Sequence, residues 1–127
     1  MEWSALKDAI NRGEAPSFYL SWFGDYPDGE NFLFPLFHSR NWGAGGNRAR
    51  FKSDSVDSML DEALRIQDAG KRAQAYDTVN RMVFEEAPWL YLWHSPESFL
   101  LGPNVTDMTF SPMFSYDKGL TVKVSMP

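Results

Sequence analysis

The segment "WFGDYPDGENF", residues 22–32, places carboxylates beside large aromatic rings at the point where an apolar run ends. Three acids lie within six positions: Asp25, Asp28 and Glu30. Two interpretations are open. In the first, the acids form a solvated turn, Trp22 belongs to the core and Tyr26 covers the turn. In the second, an aromatic-walled pocket carries one acid at its mouth. A partly buried carboxylate without a fixed cation is unfavourable, so Asp25 would then await a cation such as an amine.

Acid–base catalysis is not predicted from these acids. Paired catalytic carboxylates need environments that separate their pKa values, and those of glycosidases lie on opposite sides of the scissile bond, usually on separate elements. Here all three acids share one turn. The same turn lacks the alternating ligands and the distal Glu of a calcium loop. We therefore predict no catalytic residue and no calcium site.

The other chemistry-bearing residues also predict no metal, cofactor or nucleophile. His38 and His94 are the two histidines, 56 positions apart, and neither has a ligand partner at metal spacing. No serine has the surroundings of a nucleophile elbow. The sequence "GAGG" at 43–46 is followed by no lysine or hydroxyl at P-loop spacing, and it predicts a flexible loop.

Composition bounds the class of protein. The 127 residues, 43% hydrophobic and 16% aromatic, suffice for one domain with a modest core. A net charge of −5 disfavours nucleic acid, whose binding depends on phosphate neutralisation, and no basic cluster suits an anionic membrane. The absence of cysteine excludes disulfides and thiolate chemistry. No apolar run approaches a membrane span, and the amphipathic start is no signal peptide, so any targeting segment is expected to lie outside this sequence.

Helical and extended patterns alternate in the first half of the chain. Residues 3–12 have a helical apolar stripe that ends at Gly13. Residues 17–23, "SFYLSWF", predict an interior strand, because both of its faces are mostly apolar. A turn at 24–30 follows, and then "NFLFPLFHS", which predicts a brief helix or irregular turn.

Two further helices are predicted to form a hairpin. The first carries an apolar stripe that includes Val56 and Leu60, with Ser53 or Asp54 as its cap and an outer pair between Asp61 and Arg65. The second has Asp68 as its cap and must end before Pro88; its stripe is Tyr76, Val79, Met82 and Val83.

The last forty residues change to strand patterns separated by Pro, Gly and Asn. Four strands are predicted there, at 89–95, 97–103, 106–112 and 120–127. Together with the helices they indicate an α/β or α+β layout. An apolar helix at the very start needs a strand before it, so the sequence resembles the end of something longer.

The order of these pieces resembles the C-terminal region of bacterial ABC-importer solute-binding proteins of the dipeptide- and oligopeptide-binding cluster, solute-binding family five. Its members show a similar Trp-x-x-Asp-Tyr-x-Asp-Pro-x-x-Phe stretch where this chain has "WFGDYPDGENF". They also share a loop asparagine with an aromatic, "D-x-L-L-x-x-A", "R-x-x-x-Y" and an acid-Ala-Pro before a strand. This chain has a similar ordered set between residues 47 and 94.

The resemblance implies an α/β fold: part of the C-terminal lobe of a two-lobed, type II periplasmic-binding-protein-like structure, with a helical hairpin packed on a mixed sheet. Residues 1–127 would then form a single lobe fragment, without the first lobe and the hinge strands. It implies no enzyme. The solute is captured between the lobes and delivered to ABC permease subunits, at the periplasmic or extracellular face of the cell membrane. The face left by the missing lobe is expected to be apolar and to favour a homodimer of the isolated chain.

Site residues follow from the same resemblance. In peptide-binding members, the acid that matches Asp25 pairs with the α-ammonium group of the ligand. Trp22 and Tyr26 would line the same wall, and a loop near the cleft contributes Asn47, Arg48 and Phe51. The chain departs from the common motif at Gly29, where Pro usually follows the second acid. This glycine is expected to loosen the turn, and it leaves Asp28 open between a site role and a structural one.

The ligand is not decided by the resemblance. Relatives of this shape bind peptides, nickel complexes, haem, opines or oligosaccharides, and an acid at Asp25 favours an amine-bearing solute. Two other classes of function predict different observations. An acid-pair hydrolase predicts turnover and a complete pocket within this chain. A carbohydrate-binding domain predicts exposed, coplanar stacking aromatics, with Trp22, Trp42 and Tyr26 as the platform.

Overall fold

The computed structural model describes residues 2–96, 98–108, 113 and 122–125. The chain divides into two compact units. We call Met1–Trp22 with Asp28–Leu90 the helical unit, and Phe23–Pro27 with Tyr91–Pro127 the C-terminal unit. The prediction that all 127 residues form one lobe stays a prediction.

The first helix, α1, spans Trp3–Arg12, as the apolar stripe predicts. It ends at Gly13, whose φ of 77° is left-handed and whose N–H bonds to the carbonyls of Ala9 and Ile10. Glycine adopts this conformation without the steric penalty of a Cβ, which is why helices commonly stop at one. Ile10 is the buried residue of α1.

The second helix, α2, spans Glu30–Phe37 and contains Pro35. The brief helix predicted here is confirmed. Proline has no N–H, so the carbonyl four residues earlier, at Asn31, loses its helical donor. The indole of Trp22 supplies another donor, with Nε1 2.9 Å from the Asn31 oxygen. The short helix therefore tolerates an internal proline because a residue outside it satisfies the released carbonyl.

Helices α3, Asp54–Ala63, and α4, Ala69–Glu86, form the predicted hairpin. The Asp68 carboxylate accepts a hydrogen bond from the Lys71 N–H at 2.8 Å and so caps α4 as predicted. Helix α2 packs on both, which gives one core under the three helices. Its buried members are Leu33, Leu36, Phe37, Val56, Leu60, Ala63, Tyr76, Val79 and Val83.

The glycines at 43–46 meet a packing requirement, which corrects the prediction of a flexible loop. Short 3-10 turns span Ser39–Asn41 and Gly43–Gly45. A Cβ at Gly43 would lie 2.5 Å from the Asn11 carbonyl oxygen, and one at Gly46 would lie 2.6 Å from that of Pro35. Both glycines also have positive φ. They allow the loop to approach the backbones of α1 and α2.

Strand content is where the sequence-based prediction fails. Residues 17–23 and the described part of 89–103 form neither helix nor strand. Across the part of the chain that the structure describes, the sheet is a two-stranded antiparallel ladder in the C-terminal unit, β1 Val105–Thr106 with β2 Lys123–Val124. The predicted mixed sheet is absent there, because an apolar extended segment becomes a strand only beside a hydrogen-bonding neighbour. Positions 97, 109–112, 120, 121, 126 and 127 of the predicted strands lie outside the described residues.

An ion pair closes the small ladder, with Lys123 Nζ 2.7 Å from Asp107 Oδ2. Among the described residues, no helix combines the length and the apolar character that a membrane crossing requires.

Candidate functional site

The six residues predicted to bind a ligand divide between the two units. Trp22, Asn47, Arg48 and Phe51 belong to the helical unit, and Asp25 and Tyr26 belong to the C-terminal unit. The segment 22–32 therefore starts and ends in the helical unit, while Phe23–Pro27 belongs to the C-terminal unit.

Asp25 and Tyr26 are both exposed, Tyr26 by 44%. Gly24, directly before them, is buried. An acid that recognises a solute cation must be reachable from solvent before the solute arrives, and the exposure of Asp25 meets that condition. The role of both residues in binding stays a prediction.

Trp22 is half-buried and packs against the core of the helical unit. Together with its bond to the Asn31 carbonyl, this confirms the interpretation of Trp22 as a core residue. The indole N–H is already used inside the chain, so Trp22 could offer a solute only its ring.

Asp28 is held by α4. Arg72 Nε lies 2.8 Å from Oδ2 of Asp28, and Arg72 Nη2 lies 3.2 Å from Oδ1. The Glu30 N–H donates to the same Oδ1 at 2.8 Å, at the start of α2. Burial opposes ionisation of the carboxylate, but the Arg72 hydrogen bond, the Glu30 N–H and the guanidinium charge outweigh it and lower the pKa of Asp28. The same pair raises the pKa of Arg72. Asp28 is therefore a structural acid.

The guanidinium of Arg72 serves three elements at once. Besides Asp28, its Nη1 donates to the carbonyls of Ala63 and Leu64, at 3.0 and 3.3 Å, where α3 ends. Its carbon Cζ lies 5.1 Å from the centre of the Tyr76 ring, one turn further along α4. A planar five-donor group suits this combination in a way that lysine does not. Arg72 was missed as an individual residue, although it begins the "R-x-x-x-Y" motif quoted for the resemblance.

The glycine after Asp28 is required by packing rather than loosening the turn. A Cβ on Gly29 would lie 2.8 Å from Cβ and Cγ of Tyr76, closer than real side chains approach. Its φ of −59° is ordinary, so the constraint is space and not backbone conformation. The start of α2 thus lies directly against α4, which corrects the expectation of a loose turn.

Asn47 is fully buried, with 0% of its surface exposed. Its Nδ2 donates to the carbonyls of His38 and Phe51, at 3.2 and 2.8 Å, and its Oδ1 accepts from the Phe51 N–H at 3.0 Å. A direct contact with a ligand would break bonds that the chain already makes. The side chain instead fixes the loop that presents its neighbours.

Those neighbours are partly accessible. Arg48 is half-buried, and its Nε donates to Oδ1 of Asn11 at 3.1 Å, which joins the loop to the end of α1. Phe51 is also half-buried and meets Phe37 edge-to-face, with ring centres 6.0 Å apart. Both have surface left for a solute, unlike Asn47.

A second polar cluster, missed from the sequence, links α2 to α3. His38 is 6% exposed, and its Nδ1 and Nε2 lie 3.5 Å from carboxylate oxygens of Asp57 and Asp61, four residues apart on α3. Asp61 also pairs with Arg40, at 3.4 Å, where the sequence had suggested Arg65. The described residues hold no group of acids and histidines arranged to bind a metal ion.

Comparisons with known proteins place these features in a family. No protein-family model matches the chain. It is 35% identical to heme-binding protein A of Haemophilus influenzae over 123 residues, which is 97% of this chain and 22% of that protein. It is 30% identical to di/tripeptide-binding protein 2 of Pseudomonas aeruginosa over 116 residues, 91% of this chain and 22% of that protein.

A probable D,D-dipeptide-binding periplasmic protein of Escherichia coli shares 26% identity over 110 residues, 87% of this chain and 21% of its own length. A solved structure is also similar, that of the ABC transporter-associated periplasmic binding protein DppA from Helicobacter pylori in complex with the peptide STSA. It gives a TM-score of 0.64 at 27% identity, over 69% of this chain and 18% of that one.

The chain spans about a fifth of the length of the relatives it matches. These relatives are named as binding proteins and not as enzymes. The sequence similarity covers nearly the whole chain and the fold similarity covers about two thirds of it, and both are to binding proteins. The chain belongs to the dipeptide- and oligopeptide-binding family of periplasmic solute-binding proteins of ABC transporters.

Proposed function

We propose that this chain forms one wall of the solute cleft in the substrate-binding component of an ABC importer. The component would capture peptides or similar amine-bearing solutes between two lobes, in the periplasm, and deliver them to membrane permease subunits without chemical change. The observation that carries this proposal is the fold similarity to a binding protein solved with a bound peptide.

Asp25 is the residue we propose to recognise the solute. Asp25 is exposed, so a solute can reach its carboxylate from water. A carboxylate facing a cleft can pair with the α-ammonium group of a peptide. Closure of two lobes removes water from such a pair, and the attraction strengthens as the local dielectric falls.

The remaining predicted residues take different parts in this proposal. Tyr26 and the ring of Trp22 would supply aromatic surface beside the ammonium group. Arg48 and Phe51 would contribute the accessible part of the loop. Asn47 would act only through the position of that loop, since its polar atoms are all bonded inside the chain.

A second solute class is favoured by one specific relative. The 35% identity to a protein named for heme binding supports a large planar ligand with carboxylates as the alternative. Such a ligand has no ammonium group, so it gives Asp25 no partner. The two candidates therefore predict different effects of Asp25→Asn: the variant weakens the binding of a peptide but leaves the binding of heme unchanged.

The test is calorimetric titration of the full-length protein that carries this sequence with a short peptide and with the N-acetylated form of that peptide. The titration with free peptide is then repeated on the Asp25→Asn variant. We expect free peptide to bind, and each change to weaken binding by at least about 30-fold, since loss of a desolvated charge pair costs about 2–5 kcal/mol. Asp8→Asn makes the same charge change on α1 and should leave affinity unaltered. Equal affinity for the acetylated peptide would exclude the ammonium pair. Spectroscopic titration with heme, strong in wild type and unchanged in Asp25→Asn, would support the alternative instead.

A further inference from the structure

Two residues of the helical unit lie at the ends of the five-residue segment Phe23–Pro27, which carries Asp25. Trp22 precedes the segment and Asp28 follows it. Both flanking residues make hydrogen bonds to other residues of the helical unit, so the two ends of the segment are attached to that unit.

Both ends meet at Asn31. The Trp22 indole donates to the Asn31 carbonyl at 2.9 Å, and the Asn31 N–H donates to the Asp28 carbonyl at 3.1 Å. The carbonyl of Asn31 is open to the indole because Pro35 cannot supply the helical donor. One residue in the first turn of α2 therefore closes the base of the segment on both sides.

Arg72 joins this base to the rest of the helical unit. Its two hydrogen bonds to Asp28 are charge-assisted and bidentate, the geometry that gives most directional control. The guanidinium is itself held by two carbonyls at the end of α3, where the helix dipole favours a cation. Its side chain is 22% exposed, so solvent does little to loosen it.

We infer that Trp22 and Arg72 are positioning residues: they fix the two ends of Phe23–Pro27 and thereby set where Asp25 is presented to a solute. Only five residues separate the fixed ends, and a chain that short has few ways to bridge them. The inference rests on the proposed function for its effect on a solute, but the anchoring itself can be measured without one.

The experiment uses the full-length protein with Arg72→Gln, and with Arg81→Gln as the matched control. Arg81 is on the same helix and also pairs with an aspartate, Asp77, at 2.6 Å, but it is 75% exposed and this ion pair lies within α4. Two quantities are measured well below the melting temperature of each variant. The first is amide hydrogen exchange over residues 23–31 without solute, and the second is the affinity ratio between a free and an N-acetylated peptide.

For Arg72→Gln we expect exchange over 23–31 to rise at least about tenfold, and the free-to-acetylated ratio to fall at least about fivefold. A loss of folded protein would weaken both peptides equally and leave that ratio unchanged. Arg81→Gln should change neither quantity. If amide exchange over 23–31 and the free-to-acetylated affinity ratio in Arg72→Gln match those in Arg81→Gln, the inference is overturned, even if the wild type binds peptide.

Failure of the proposed function looks different. If wild type binds no peptide while Arg72→Gln still raises exchange over 23–31, the anchor stands and the proposed ligand falls.

Trp22→Phe provides an independent variant, since it keeps an aromatic ring but removes the indole donor. Trp22→Phe should raise amide exchange over the same residues, and it keeps the inference testable if Arg72→Gln does not fold. Unchanged exchange in Trp22→Phe would contradict the anchor at the Trp22 end of the segment.

Discussion

Asn47 holds both backbone polar groups of Phe51. Its Nδ2 lies 2.8 Å from the Phe51 oxygen, and its Oδ1 lies 3.0 Å from the Phe51 nitrogen. The pair closes the five-residue loop Asn47–Phe51 with a side chain, much as a backbone turn would. Because Phe51 packs on the core through Phe37, the loop is attached both by hydrogen bonds and by an aromatic contact.

We predict that Asn47→Ala lowers the free energy of unfolding by about 2–4 kcal/mol, because it leaves buried backbone groups without partners. The control is Asn80→Ala, which removes an exposed asparagine from α4. That control should stay within about 0.5 kcal/mol of wild type. Urea unfolding followed by tryptophan fluorescence measures both, and equal midpoints would show that the Asn47 side chain has no structural role.

Gly46→Ala should destabilise the helical unit by about 1–3 kcal/mol. The φ of 129° is unsuited to alanine, and the added Cβ would meet the backbone oxygen of Pro35 at 2.6 Å. Gly70→Ala adds the same methyl group in the first turn of α4, where the nearest atom is a side-chain oxygen 3.4 Å away. Thermal unfolding should place Gly70→Ala at or above wild type and Gly46→Ala well below it. The opposite order would mean that the loop can move away from α2.

Two leucines of one helical stripe test the core. Leu60→Ala should reduce stability by about 2–5 kcal/mol, since Leu60 is fully buried between the hairpin and α2. Leu64→Ala, four residues later and 36% exposed, should cost about 1 kcal/mol or less. Chemical denaturation of the two variants side by side gives the difference. Similar losses would indicate that the hairpin does not bury the stripe as described.

The helices could be predicted because their signals are local. Gly13, Asp68 and Pro88 act on the chain within a few residues, and the apolar stripes need only a helical period to be recognised. The segment 17–23 has an equally clear strand pattern, yet it forms no strand. A strand depends on a neighbour that can come from anywhere in a protein, and no local pattern reports whether that neighbour is present.

The candidate site shows the same limit. Asp25 and Asp28 look alike in sequence, three positions apart in one turn. Only the fold shows that a guanidinium 44 residues further along the chain binds Asp28. His38 likewise showed no partner at metal spacing, because Asp57 and Asp61 reach it only after α3 packs beside α2. Local spacing identifies a turn with acids, and tertiary packing shows that one of them, Asp28, is bound by Arg72.

Asp28 gives the stability of the protein a specific dependence on pH. Its pKa is lowered in the folded state, so the folded protein releases this proton more readily than the unfolded chain. The resulting stabilisation is fully present above the unfolded pKa of about 4 and is lost as the pH falls through the lower, folded value. The expected contribution is therefore constant near neutrality and declines only in acid.

We predict that wild type and Asp28→Asn differ most in urea midpoint at about pH 6, and that the difference shrinks at about pH 3. The asparagine keeps the size of the side chain but cannot form the ion pair with Arg72. In an Arg72→Gln background the same Asp28→Asn change should matter less at pH 6, because its main favourable partner is gone. If instead Asp28→Asn costs the same at both pH values, or if the Arg72 background leaves its effect unaltered, the ion pair does not set the pKa of Asp28, and the contact between the turn and α4 depends on packing alone.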